Sequence, residues 1–327
     1  MVSRMLAATA VRTDPKDPLS GLEVGERPEP SPPDGWTTVR IRAASLNHHD
    51  LWSLQGVGLP DDKLPMILGC DGAGVDEDGN DVVVHAVIGD PDFRGDETLD
   101  PKRSLLSEVY DGTLAEQVAV PRRNLVPKPA DLSFEEASCL PTAWLTAYRM
   151  LFTQGGAKPG QTVLVQGAGG GVATALVAIG KAAGLRMWVT SRDGAKRDRA
   201  LEIGADQAFE SGARLPERVD IVMETVGEPT WDHSLKSLAH GGTIVCSGAT
   251  GGNKVLTDLR RIFFLQQRIV GSTMGTRDEM VRLLGLLAQT GLRPLIDSVM
   301  PLAEAESAFR RLADGEVFGK IVLTCGE

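Results

Sequence analysis

Three consecutive glycines, Gly169–Gly171, follow the apolar run Val163–Gln166 and precede a stretch whose apolar residues recur at helical spacing from Val172. Glycines let a chain turn sharply and approach a pyrophosphate, and the start of the following helix offers unpaired N–H groups to it. This pattern predicts the first βαβ unit of a dinucleotide-binding domain. The residues we expect to contact the cofactor here are Gly169, Gly170, Gly171 and Val172.

Two glycine frames fit the same turn. One runs from Gly167 to Val172, and the other runs from Ala168 through Gly170 to Ala173. We favour the second frame, because its last position needs a small residue where the helix packs on the strand. A tight packing turn without a ligand would give a similar signal, but the alternating elements that follow favour the dinucleotide site.

The next predicted strand, 186–190, bears on the choice of cofactor. In such folds a carboxylate about 20 positions beyond the glycines binds the ribose of NAD, whereas a basic residue accommodates the 2′-phosphate of NADP. This strand ends in Ser191 and Arg192, with Lys196 close behind. We therefore expect NADP(H), although Asp193 leaves NAD open and the basic residues would also suit a solvated face.

The surrounding elements indicate two domains. Strands alternate with helices from 162 to 272, which predicts an α/β fold with a doubly wound parallel sheet. Residues 1 to about 125 are β-rich, with the period-two alternation of half-buried strands. We expect 1–125, completed by about 293–327, to form the β-rich domain and 126–292 to bind the dinucleotide.

Composition excludes several classes of partner. The chain has 327 residues and a net charge of −10, which disfavours nucleic acid and anionic membranes. No apolar run approaches the ~20 residues of a membrane span, and the first residues lack the apolar core of a signal peptide. The four cysteines lie far apart, which suits a reducing compartment, so we expect a cytoplasmic protein.

Several motifs together resemble the medium-chain dehydrogenase/reductase superfamily. They cover nearly the whole chain in family order: Leu46–Trp52, Gly69–Gly74, Asp111–Glu116, Leu140–Tyr148, Gly242–Gly248 and Gly319–Leu323. The resemblance implies a GroES-like catalytic domain joined to a Rossmann domain. Quinone oxidoreductase-like reductases and zinc-type alcohol dehydrogenase-like proteins are the most similar branches.

The motif positions that carry zinc ligands in related alcohol dehydrogenases are altered. Where those enzymes have Cys, His-Glu, and Cys or Asp, this chain has Asn47, Cys70-Asp71, and Pro141 or Thr142. A catalytic zinc normally needs three protein ligands. His48 and His49 lie near in the motif and could help Cys70 form an atypical site, but Cys70 also suits a small buried hydrophobe. We expect no metal.

Without a metal, hydride transfer suits a quinone or an α,β-unsaturated carbonyl, because the product anion is delocalised. Asn47 is then the expected hydrogen-bond donor to the substrate carbonyl, and His49 and His48 are candidate proton sources. The resemblance also implies that His48 can face the cofactor phosphates, that Thr146 contacts the nicotinamide or its ribose, and that Tyr148 lies at the reacting centre. The remaining expected cofactor contacts are Gly248 and Thr273.

These features predict an NADPH-dependent, zinc-independent quinone or enone reductase. Two alternatives stay open, a zinc-dependent alcohol dehydrogenase with atypical ligands and a non-catalytic NADPH-binding protein. Relatives commonly dimerise through the last strand of the Rossmann sheet, here 268–272. Since an exposed apolar edge strand would favour aggregation, we expect a homodimer acting on a small molecule.

Overall fold

The structure is a computed structural model and describes residues 3–326. The strands of the first part are β1 (Arg4–Ala10), β2 (Leu22–Pro28), β3 (Trp36–Ser45), β4 (Met66–Ile67), β5 (Asp71–Asp76), β6 (Asp81–Val84), β7 (Val87–Ile88), β8 (Ser104–Leu105), β9 (Gln117–Pro121) and β10 (Leu125–Pro127). Those that follow are β11 (Thr162–Gln166), β12 (Arg186–Ser191), β13 (Gln207–Glu210), β14 (Val219–Glu224), β15 (Leu238–Cys246), β16 (Arg268–Gly271), β17 (Ile296–Pro301) and β18 (Lys320–Thr324).

The α-helices are α1 (His48–Leu54), α2 (Phe134–Ser138), α3 (Leu145–Tyr148), α4 (Gly171–Ala182), α5 (Gly194–Glu202), α6 (Glu228–Ser237), α7 (Leu259–Leu265), α8 (Arg277–Thr290) and α9 (Ala305–Ala313). Helix α3 is flanked by the π-helical turns Leu140–Trp144 and Arg149–Gln154. No helix among residues 3–326 combines the length and the apolar character that a bilayer span requires.

The described residues form two compact units. Unit 1 contains the chain up to Ala143, the segment Met274–Gln289 and the residues from Ile296 onward, and unit 2 contains Trp144–Thr273 and Thr290–Leu295. The first boundary thus lies beyond the expected 125/126. Helix α2 stays with unit 1 because Phe134 and Cys139 pack against Ala43 and Val322. Segment 274–289 also lies in unit 1, where Met274 joins the main core.

Unit 2 is built on a parallel sheet of six strands in the order β13-β12-β11-β14-β15-β16. Counted within the unit, this order is 3-2-1-4-5-6, the arrangement of doubly wound dinucleotide-binding domains. The predicted α/β class is therefore confirmed. Strand β13 was not predicted, because its four residues show no clear alternation of apolar and polar side chains and none of them is fully buried.

Unit 1 is the β-rich domain. Its largest sheet follows the order β10-β6-β5-β3-β18-β17, with β9 also paired to β3. Strand β18 runs antiparallel to β3, with Val322 opposite Ser45, so the end of the chain does return to complete this domain. The order β5-β3-β18 brings the starts of β5 and β18 beside the end of β3, where polar side chains collect.

Candidate active site

The glycine-rich turn of unit 2 joins β11 to α4. Gly167 has φ +92°, a backbone conformation that residues with a Cβ rarely adopt. Helix α4 begins after Gly170, and no described side chain caps its first turn. A Cβ added at Gly170 would meet nothing within 4 Å, so there is open space beside the start of this helix. Ala173 is buried, as the favoured frame requires. These features fit a bound pyrophosphate.

The end of β12 carries the residues that were expected to select the cofactor. Asp193 is the N-cap of α5, and its carboxylate accepts hydrogen bonds from the backbone N–H groups of Ala195 at 2.8 Å and Lys196 at 3.3 Å. The Ser191 hydroxyl oxygen accepts from the Asp193 backbone at 3.1 Å. Arg192 is exposed. The Asp193 carboxylate thus caps its own helix, while the Arg192 side chain faces solvent.

Two other expected cofactor contacts follow the same edge of the sheet, and two lie on α3. Gly248 lies just beyond β15 and Thr273 just beyond β16, and the carboxyl ends of parallel strands share one edge. Thr146 is buried on α3, and the Tyr148 ring packs edge-on against Phe152 at 4.9 Å. All these residues belong to unit 2. His48 is exposed at the start of α1 in unit 1, and its contact with the cofactor stays a prediction.

A buried carboxylate that sequence reasoning missed supports this edge. Glu224 ends β14 and accepts hydrogen bonds from the backbone of Val226 at 2.8 Å and Gly227 at 3.0 Å. The hydroxyls of Thr230 and Ser234 donate to the same carboxylate at 2.9 and 2.6 Å. A glutamate at the end of an apolar strand was the only sequence signal. The network fixes the loop beside the glycine turn.

The starts of β5 and β18 meet the end of β3 at a buried ionic group, which we call the Lys320 cluster: Ser45, Asn47, Asp71 and Lys320. The Lys320 ammonium donates to Asn47 Oδ1 at 2.6 Å, Asp71 Oδ2 at 3.0 Å and the Leu46 carbonyl at 2.7 Å. Asn47 Nδ2 and the Ser45 hydroxyl also donate to Asp71 Oδ2, each at 2.8 Å. The positive charge of Lys320 and the negative charge of Asp71 thus compensate each other inside the domain.

The Lys320 cluster bears directly on metal binding. Asn47 and Asp71 belong to the motifs that, by the family resemblance, carry zinc ligands in related alcohol dehydrogenases, but here both bind the Lys320 ammonium. A metal cation at that point would face a buried positive charge and a neutral amide instead of a thiolate. Among residues 3–326, no group of three His, Cys, Asp or Glu side chains is placed to hold a metal. The donors present do not fit a catalytic zinc.

A second polar group, the His49 triad, lies in the same unit and consists of His49, Cys70 and Glu108. His49 Nδ1 lies 3.3 Å from Cys70 Sγ, and His49 Nε2 lies 3.1 Å from Glu108 Oε1. Burial alone would lower the pKa of His49, but Cys70 and Glu108 raise it well above its usual value. Burial raises the pKa of the Cys70 thiol. Glu108 was not predicted as a site residue, because it lies in a polar loop without periodicity.

The expected catalytic residues thus fall in different units. Asn47 and His49 lie close together at the start of α1 in unit 1, and Tyr148 lies in unit 2. Both polar atoms of the Asn47 amide already have protein partners, and so do both ring nitrogens of His49. Their roles toward a substrate stay predictions.

Comparison with known proteins agrees with this architecture. Residues 33–130 match the alcohol dehydrogenase GroES-like domain, and residues 198–323 match the family described as zinc-binding dehydrogenase. The chain is 30% identical over 325 residues to an acryloyl-coenzyme A reductase of Sulfurisphaera tokodaii, with 94% of this chain and 97% of the relative covered. It is 28% identical over 326 residues to an alcohol dehydrogenase of Geobacillus stearothermophilus, with 92% and 96% covered.

A solved structure described as an NAD-dependent alcohol dehydrogenase shares the fold with a TM-score of 0.89. It is 34% identical, and the match covers 98% of this chain and 100% of that one. The sheet order, the glycine turn and these similarities agree along both units. The chain belongs to the medium-chain dehydrogenase/reductase superfamily, among its zinc-type alcohol dehydrogenase-like members.

Proposed function

We propose that this protein is an NADPH-dependent, zinc-independent reductase that transfers hydride to an α,β-unsaturated carbonyl or a quinone. The observation that carries this proposal is the Lys320 cluster, in which Asn47 and Asp71, from the motifs that the resemblance links to zinc ligands, are bound to an ammonium instead. Hydride addition to an enone or quinone leaves a delocalised anion, which hydrogen bonds can stabilise. The acryloyl-coenzyme A reductase relative is named for an unsaturated substrate, which supports the enone class.

The carboxyl edge of the unit 2 sheet would hold the cofactor, which supplies the hydride when bound. The N–H groups at the start of α4 bind the pyrophosphate, and Gly167 allows the turn that presents them. Ser191 and Arg192 bind the 2′-phosphate, because a guanidinium offers paired donors to phosphate oxygens. Thr146 and Tyr148 contact the nicotinamide end, as the family resemblance implies.

Asn47 would bind the substrate carbonyl through one hydrogen of its amide. Asn47 Nδ2 donates one hydrogen to Asp71 at 2.8 Å and lies 3.4 Å from the Ser45 carbonyl oxygen, a long contact that a substrate oxygen can replace. The Lys320 ammonium on Oδ1 polarises the amide and strengthens its N–H groups as donors. His49 would supply the proton that completes the reduction.

The reaction class is tested by measuring NADPH oxidation with quinones, enones, aldehydes and simple ketones, with and without strong chelator. We expect turnover of quinones or enones but not of simple ketones, less than one zinc per chain, and full activity in chelator. If chelation abolishes turnover and zinc restores it, the protein is a zinc enzyme with atypical ligands. If no substrate oxidises a bound NADPH, the chain is a non-catalytic binding protein.

Cofactor preference gives a separate prediction. We expect NADPH to bind more than tenfold more tightly than NADH, a difference of at least ~1.4 kcal/mol. Arg192→Ala should remove most of this preference, because Arg192 is the exposed cation at the end of β12. Titration of NADPH and NADH into the unmodified protein and into Arg192→Ala measures the preference, and Arg282→Ala on α8 is the exposed control. Equal affinities in the unmodified protein would refute NADP selectivity and match the NAD dependence named for the solved relative.

We propose that the protein is a homodimer joined at the outer edge of the unit 2 sheet. Strand β16 ends the sheet and exposes Ile269, and neighbouring α7 exposes Leu259, Phe263 and Phe264. A second copy of the same edge would pair the free strand and cover these apolar side chains. Light scattering at micromolar concentration should give twice the mass of the 34.8 kDa chain. A monomer mass would contradict the proposal.

A further inference from the structure

The contacts of the His49 triad favour one direction of hydrogen bonding. Cys70 Sγ lies 3.1 Å from the Leu106 carbonyl oxygen, which can only accept, so the thiol hydrogen goes to that oxygen. The sulfur therefore meets His49 Nδ1, at 3.3 Å, as an acceptor. Nδ1 must then carry a hydrogen.

The opposite ring nitrogen faces a carboxylate. Glu108 Oε1 lies 3.1 Å from His49 Nε2, and Glu108 Oε2 accepts from the Leu105 backbone N–H at 3.0 Å. The second bond fixes the orientation of the carboxylate. Burial would raise the pKa of Glu108, but the hydrogen bonds from His49 and Leu105 hold it below its usual value. An ionised Glu108 needs a hydrogen on Nε2.

We propose that Glu108 and Cys70 are positioning residues that hold His49 as a doubly protonated imidazolium, and that its Nε2 proton completes the reduction. The part concerning proton transfer rests on the function proposed above. With the thiol hydrogen on the Leu106 carbonyl, both nitrogens of His49 meet acceptors, and the imidazolium is the form that satisfies both contacts. Glu108 touches His49 and acts through it.

The exposed fractions of the three side chains indicate which proton of His49 can be transferred. The side chains of His49 and Glu108 are 15% and 22% exposed, whereas Cys70 is only 1% exposed. The Glu108 end of the triad is therefore partly open to solvent, and the Cys70 end is closed. The Nε2 proton passes to the carbon of the enolate or the oxygen of the phenolate, and His49 is left neutral with its hydrogen on Nδ1. Water on the Glu108 side then returns a proton to Nε2.

The charged groups around His49 favour the imidazolium. Glu108 faces it from the loop after β8 and Asp50 lies next to it on α1, while Cys70, just before β5, meets it as a neutral thiol. Asp50 is fully buried, and its burial raises its pKa to about 6. Of these groups, Glu108 is the ionised carboxylate in direct contact with the ring.

The first test is the titration of His49 by NMR in the full chain, which needs no activity. In Glu108→Gln the midpoint should move to lower pH by about 1 to 3 units, because the amide cannot supply the negative charge. His233 and His240, in unit 2, are internal controls, and Glu304→Gln is an exposed control in unit 1. An unchanged midpoint in folded Glu108→Gln would overturn the proposal.

The second test is the pH profile of kcat with whichever enone or quinone is turned over. In the unmodified protein kcat should fall only near the high pH where His49 loses its proton. In Glu108→Gln kcat should begin to fall at lower pH. At a given pH above the midpoint, we expect about tenfold less activity for each unit by which the NMR midpoint has moved. Glu108→Asp keeps the negative charge and should therefore restore part of the lost activity.

The two tests separate the possible failures. A shifted midpoint with an unmoved pH profile would overturn His49 as the proton donor while leaving Glu108 as its positioning residue. A shifted midpoint in a protein that reduces no substrate would reject the proposed function and keep the assigned protonation state. An unmoved midpoint would refute the positioning role whatever the activity.

Discussion

Lys320→Met is expected to lower the free energy of unfolding by about 3 to 5 kcal/mol. Lys320 is 3% exposed and its ammonium is the direct counter-ion of Asp71, which is fully buried. Methionine has a similar volume, so the main loss is electrostatic. Asp71 Oδ1 has no hydrogen-bond partner in the described structure, so this carboxylate depends on its Oδ2 contacts. Urea unfolding of the folded variant measures the change.

A surface pair in the same unit provides the matched control. Lys102 contacts Asp90 at 2.7 Å, but its side chain is 77% exposed. Lys102→Met should cost less than about 1 kcal/mol, because water solvates both charges. Combining Lys320→Met with Asp71→Leu should recover much of the loss, since the second change removes the unpaired charge. If Lys320→Met cost no more than Lys102→Met, the ionic role of the cluster would be refuted.

The fold of unit 2 could be predicted because its signals are local. Apolar runs such as Val163–Gln166 and Val219–Glu224 are long enough to indicate buried parallel strands, and glycines mark the turns after them. Strand β13 was missed because an edge strand buries little and leaves no strong pattern. The boundary at Ala143 depends on how α2 packs against distant strands, which local patterns do not encode.

Only residues that belong to family motifs could be predicted as site residues. Family motifs identified Asn47, His49 and Cys70 as candidates, but their partners come from far along the chain. Glu108 is 59 residues from His49, and Lys320 is 249 residues from Asp71. Such contacts depend on the pairing of β18 with β3 and on a loop without periodicity. No spacing rule in a single sequence indicates them.

Asn47→Ala is expected to lower kcat/KM for a quinone or enone by about 10²-fold, the effect of losing one donor to a developing oxyanion. Affinity for NADPH should barely change, because its expected contacts lie mainly in unit 2. The loss is measured by steady-state kinetics at fixed NADPH, together with a cofactor titration. The variant also removes contacts with Asp71 and Lys320, so a stability loss must be separated from a catalytic one.

Asn124 provides that separation, because it is another buried asparagine of unit 1. Its amide donates to the carbonyls of His85 and Val87, both at 2.7 Å. Asn124→Ala should therefore destabilise the fold and leave kcat/KM of the folded protein nearly unchanged. Equal kinetic losses in the two variants would mean that Asn47 acts only through stability. Full activity in Asn47→Ala would show that its amide does not bind the substrate carbonyl.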